Sequence, residues 1–174
     1  MSLDKSSTSA SVRVVPGSLA GLVVTPDNYR TRAQVGYAIR LSLANPVGTG
    51  DGVQIVLPET IGVVGLPPQV SGGNVARGAI VTYEKATRTI KIMKCFTSEI
   101  AAGGMISFSV KSLLNPPTTE ISGAIKVSTI DENTGRIIDS DELNAKIAAT
   151  ANEIPSVTVT ACSDPQVRTG SYTG

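Results

Sequence analysis

The sequence predicts an all-β protein, a two-layer antiparallel β-sandwich of Greek-key, loosely Ig-like type with at most one short helix. Three observations predict it. From Ala33 to Leu57, Val35, Tyr37, Ile39, Leu41 and Leu43 are apolar at every second position, and Val53, Ile55 and Leu57 resume the alternation after a Gly-rich turn. A strand shows its side chains to opposite faces with period two, so this pattern supplies one face for a core and one for water. The composition is 41% apolar but only 3% aromatic, with no Trp. An aliphatic, β-branched core of this kind suits sheet packed on sheet. Finally, short alternating runs recur between Gly, Pro, Asn and Asp clusters at the spacing of a sandwich, about nine or ten strands in all. A closed barrel is the architectural rival.

Met1 to Ala10 is Ser- and Thr-rich and aperiodic, and reads as a disordered linker or tag remnant. The sandwich is expected over residues 11–163, with a flexible tail over 164–174. Ser11 to Val15 is the first strand candidate, closed by Pro16-Gly17. Ser18 to Thr25 holds the second, ended by Pro26-Asp27-Asn28. Ala33 to Leu57 is expected to form a central hairpin. Asn45-Pro46 stops its first strand, because Pro has no N–H for a ladder, and Gly48 to Gly52 turns it. Ile61 to Gly73 is too often broken by Gly and Pro for a regular element, and reads as a loop or irregular edge.

Ala79 to Glu84 and Arg88 to Thr97 flank Lys85-Ala86-Thr87 as a second hairpin. Met105 to Leu113 alternates Ile106, Phe108 and Val110 with serines and a lysine, and Asn115-Pro116-Pro117 stops it. Ile121 to Ile130, the turn Asp131 to Gly135 and the return Arg136 to Asp139 make a third hairpin. Asp139 to Asn152 admits two readings. Asp139 and Glu142 have capping-box spacing for a helix, yet Leu143, Ala145, Ile147 and Ala149 also alternate as in a strand. Ser156 to Cys162 is the closing strand. The strand, Gly-rich turn, strand pattern of Ala33–Leu57 is echoed in Arg88–Val110, as a Greek key produces without duplication.

Composition excludes several functions. The absence of His removes Ser-His-Asp and Cys-His catalysis and His-bound zinc. A net charge of +1 with dispersed basic residues gives no footprint for nucleic acid. No apolar run approaches the ~20 residues that span a bilayer, so no membrane insertion is expected within this segment. Gly72-Gly73 and Gly103-Gly104 lack the Lys-Ser/Thr of a phosphate loop and read as turns. A carboxylate pair for glycoside hydrolysis would need a cleft with stacking rings, and Tyr37 and Phe108 are committed to the core by parity.

Asp131, Asn133, Asp139 and Asp141 are the candidate metal ligands. Oxygens converging from a turn and a strand end can hold Ca²⁺, although the spacing is not that of an EF-hand. Calcium is therefore the one cofactor considered, against an expectation of none. Asp51 in the Gly-rich turn is a lesser candidate. Cys95 and Cys162 both fall on the parity opposite to their strands' core residues, and neighbouring strands would let them pair as a disulfide. Lys94 shares the core parity of Ile90 and Ile92. An intramolecular Lys–Asn crosslink would need a facing Asn, which Val157–Ala161 does not offer, so a strand end reaching solvent or a bulge is expected.

The order of pieces resembles the Ig-like modules repeated in very long surface proteins of protists and algae, and comparable bacterial adhesin modules. The resemblance runs from Ala33 to Asp139. It rests on Gly50-Asp51 with the strand to Pro58, on the Gly104–Pro116 segment ending in Asn-Pro, and on Ile125 to Ile137-Ile138-Asp139. It implies an extracellular building block and supplies no functional residue. The expected function is thus a non-enzymatic structural, adhesion or assembly module of a larger extracellular or surface protein. Its expected partners are neighbouring modules of the same chain or other surface proteins. The alternatives are a jelly-roll capsid or fibre subunit and a Ca²⁺-dependent lectin or adhesin. Met1-Ser2-Leu3 carries no secretion signal and reads as the head of a fragment.

Overall fold

The computed structural model describes residues 15–141 and 145–152. Its strands are β1 (Gly17–Ser18), β2 (Ala20–Pro26), β3 (Gln34–Ser42), β4 (Gly52–Val56), β5 (Gly62–Val63), β6 (Val70–Ser71), β7 (Ile80–Glu84), β8 (Thr89–Met93), β9 (Met105–Leu114), β10 (Lys126–Ile130) and β11 (Ile137–Ser140). One sheet runs β1-β11-β10-β4-β8-β7, and the other runs β2-β3-β9-β5 with β6 also on β9. The inward residues of both sheets make one core, so the all-β sandwich is the fold. Among the described residues there is no helix.

The central hairpin expected over Ala33–Leu57 does not form. Both strands are where the alternation puts them, but β3 lies in one sheet and β4 in the other. The turn between them is an arch that carries the chain across the core. Arg88–Val110 does the same in reverse, from β8 to β9. The two arches nest: β3 pairs antiparallel with β9, for example Ile39 with Phe108, and β4 pairs antiparallel with β8, for example Ile55 with Ile90. The echo between the two stretches is therefore the mark of this nesting. The β7–β8 and β10–β11 hairpins form as expected.

Two interruptions of the period keep apolar residues inside. In β9, Val110 and Leu113 are both buried although they are three apart. Ser112 between them takes a positive φ of 68° at the register shift opposite Val35 and Tyr37, which adds the residue the alternation needs. After β8, Lys94 takes a φ of 51° and leaves the core parity, and Cys95 and Phe96 turn inward instead.

Elsewhere the ends and edges differ from the expectation. The first paired residues are Gly17, read above as part of a closing turn, and Ser18, read as the start of the second strand; Val15 is exposed, and residues 11–14 lie outside the described chain. Gly17 fits because its α-carbon packs on the Asp139 carboxylate and Asn45 amide, where a Cβ would have no room. In the segment with two readings, alternation prevails over the described residues: Ile147 and Ala149 are buried, while Lys146, Ala148 and Thr150 are exposed. Ala145 bridges Ile125 and Thr150 bridges Arg30. The Ile61–Gly73 segment is an irregular edge holding only the two-residue strands β5 and β6. Ser156–Cys162 lies outside the described residues.

Two polar devices close the open ends of the sandwich. Asn115, buried, accepts from the Tyr37 hydroxyl at 2.9 Å and donates to the carbonyls of Asn28 and Arg30 at 2.6 and 2.9 Å. Burial holds the Tyr37 phenol well above its ordinary pKa. Arg88, at a φ of 54°, turns its guanidinium onto the carbonyls of Leu57, Pro58 and Ile61 and so ties the irregular edge to the β7–β8 turn.

Truncating Ile92, fully buried between the arches, to Ala should cost about 2–5 kcal/mol, against under about 0.5 kcal/mol for Val23→Ala on the outer face of β2. Urea denaturation of the two variants checks this.

Candidate functional site

The acids nominated as a cation site are not brought together. Asp131 opens the β10–β11 turn, and its carboxylate accepts from the Thr134 amide at 2.8 Å and the Thr134 hydroxyl at 2.7 Å. These bonds hold its pKa below the usual carboxylate range. Asn133 is exposed at the tip of the same turn. Asp139 is paired with Thr129 on the ladder and Asp141 donates its amide to Val127, so the acids step along the hairpin at about 7 Å per two residues. No group of three His, Cys, Asp or Glu side chains among the described residues could hold a metal ion.

The Asp139 carboxylate is used inside the protein. It is fully buried and accepts from the amides of Ala44 and Asn45, both at 3.1 Å, and from the Asn45 side chain at 2.7 Å. Its own amide donates to the Thr129 hydroxyl. Asn45-Pro46 is where β3 gives way to the arch, so Asp139 supplies the acceptors that those backbone groups lose on leaving the ladder. Asp51 does similar work at the far side of the arch. One carboxylate oxygen accepts from Gly48 at 2.7 Å and the other from the Glu132 amide at 3.0 Å, which joins the arch to the β10–β11 turn. Glu132 lies over Gly50, and Lys94 stands 3.9 Å from its carboxylate with both side chains well exposed. Lys94 thus reaches solvent, as expected, and is no buried crosslinking residue.

Cys95 sits on the inner side, not the outer one on which the disulfide was premised, and burial pushes its thiol up to about 12. Cys162 lies outside the described residues, and so does the pairing.

The outer face of β4, β7 and β8 carries an open polar depression of about 580 Å³ lined by Gln54, Thr82, Glu84, Thr87, Thr89 and Lys91, with Tyr83 beside it. Its border is β7, an edge strand of five residues paired in unbroken register with β8. The other long edge, β2, is interrupted by Gly21 at a φ of 61°, a register shift between Ala20 and Val23, and Pro26. Such interruptions blunt an edge against further pairing, and β7 has none of them. The residues of β7 stood in the sequence as an ordinary hairpin strand. Their alternation shows faces, and nothing in it shows which strand lies outermost.

No family model matches the chain, and no curated protein does. Among solved structures it is similar to BslA, a bacterial hydrophobin, at 9% identity and a TM-score of 0.44, over 78% of this chain and 98% of that one. It is also similar to the second type II cohesin module of the adaptor ScaA scaffoldin of Acetivibrio cellulolyticus, at 11% identity and a TM-score of 0.39, over 87% and 96% of the two chains. A human F-spondin reeler domain aligns at 15% identity and a TM-score of 0.36, over 78% and 93%. No functional residue is carried over from these likenesses.

Asp139→Ala should destabilise the fold by about 2–4 kcal/mol, because it removes a buried carboxylate that holds two main-chain amides and the Asn45 side chain, and should cost more than Asp131→Ala in the exposed turn; denaturant titration compares them. In the native, reduced protein Cys95 should resist iodoacetamide at pH 8 and react once urea is added. Peptide mapping before and after reduction reads both its accessibility and any bond to Cys162, and fast native labelling would contradict its inward placement.

Proposed function

We propose that this chain is a non-enzymatic structural or assembly module of a larger extracellular or surface protein, and that it meets protein partners through its exposed sheet surface. The observation that supports this most is how its carboxylates are used. Asp27, Asp51, Asp131 and Asp139 each accept main-chain amide hydrogen bonds that close a turn or an arch. They are spent on holding the sandwich. The depression on the first sheet is broad and open, and its Thr, Gln, Lys and Glu side chains offer polar contacts to a partner. Location at the cell surface is part of the proposal and follows the resemblance to modular surface proteins.

The test is the size of the purified chain together with its thermal melt in Ca²⁺ and in EDTA. A species of one or two chains whose melting temperature is the same in both supports the module. Large closed particles would replace it with the capsid or fibre subunit. A melting temperature lowered by EDTA would replace it with the Ca²⁺-dependent lectin or adhesin, despite the dispersal of Asp131, Asn133, Asp139 and Asp141.

A further inference from the structure

We infer that β7 is a self-association edge, on which a second copy of this chain adds its own β7 antiparallel about a two-fold axis through Thr82. The inference takes up the assembly role above and names the partner. Its starting point is the regularity of the edge. Ile80 to Glu84 pairs residue for residue with Met93 to Thr89, with no bulge, Pro or left-handed residue. The outward row of amides and carbonyls is therefore a complete template for one more strand.

The sequence of β7 fits itself. A two-fold axis normal to the sheet keeps inner side chains on the inner face, so odd residues must meet odd ones. With Thr82 on the axis, Val81 meets Tyr83 of the second copy, and Tyr83 meets its Val81. These two are half-buried on the inner side in the single chain, while Ile80, Thr82 and Glu84 are exposed. Aromatic against β-branched is a favourable cross-strand pair, and so is Thr against Thr. The core rows then run on across the axis. Ile92 and Val81 lie side by side on the ladder, as do Ile90 and Tyr83, so the junction continues Ile92-Val81 into Tyr83-Ile90 of the second copy. On the outer face the half-exposed Ile80 receives the aliphatic stem of Glu84. Moving the axis to Glu84 would set two carboxylates directly opposite each other. The charge pattern thus favours the Thr82 register.

The described chain leaves this edge open. It enters the first sheet at β1, on the opposite edge, and its last described residue, Asn152, donates to Thr31 in the β2–β3 loop. A five-residue edge buries much less than a standard interface, so association of free chains is weak. Joined copies in an array would gain from their effective concentration.

Sedimentation equilibrium of the full chain up to millimolar concentration tests this, with Thr82→Lys and Thr82→Glu variants. Thr82 is exposed, so neither change should disturb the fold, and melting curves check that. The expected result is a monomer–dimer equilibrium weakened at least tenfold by either variant alone, since each sets like charges opposite on the axis. An equimolar mixture of the two should associate again as the heterodimer. A strictly monomeric wild type overturns the inference, and so does a dimer that neither variant weakens. Variants that weaken it without recovery on mixing overturn the Thr82 register. In each of these cases the module reading stands, because it is decided by the EDTA melt and by the absence of large particles.

Discussion

Everything in this sandwich depends on keeping an aliphatic inner layer continuous while the described chain crosses six times from one sheet to the other. The four strands at its centre, β3, β4, β8 and β9, are the ends of two arches, and the two arches pair with each other in both sheets. With two Phe and no Trp in the whole chain, the space between the sheets is filled mainly by Ile, Leu and Val. Such a core tolerates no lapse in which face a residue occupies, since each fully buried aliphatic side chain contributes about 1.5–3 kcal/mol relative to leaving it in water.

The departures from simple alternation follow from that demand. Ser112 and Lys94 accept a left-handed backbone so that Leu113 and Cys95 return to the inner side. The cost falls on two polar residues whose side chains are not needed in the core. The crossing points have a second need, because backbone groups leave the ladder there. Asp139 at Asn45-Pro46, Asp51 at Gly48, and Arg88 at Leu57–Ile61 supply the missing partners. In a chain without His, the charged groups that could have been read as chemistry are instead the fastenings of the arches.

Much of this was legible in the sequence because period two is written residue by residue. The strands at Gln34–Ser42, Gly52–Val56, Thr89–Met93 and Met105–Leu114 are where the alternation puts them, and so are the two true hairpins. Alternation says which residues share a face, but it is silent on which sheet the face belongs to. The Gly-rich turn after Asn45-Pro46 was therefore read as a hairpin when it is an arch. The same silence hid the outermost position of β7. The acid cluster misled for a related reason: closeness along the sequence from Asp131 to Asp141 follows a two-stranded ladder, which spreads residues out, and the partners that occupy Asp139 come from Ala44 and Asn45, far back in the chain. Ala145 to Thr150 satisfied both periods on paper, and its bridge to Ile125 decided for extension.

The nesting of the arches has a consequence for how the chain must come into being. Ile39 lies between Val24 and Phe108, so until β9 exists β3 has only the edge strand β2 beside it. The ribosome adds about 5–20 residues per second, so the stretch between β3 and β9 takes roughly 3–13 s to appear. During that time β3 is out of the tunnel with its inner ladder partner β9 still unmade. The local β2–β3 and β7–β8 hairpins can form early, and a topology so rich in distant pairings also folds slowly once complete, in milliseconds to seconds. Copies made close together would thus expose matching strands to one another before each can close on itself.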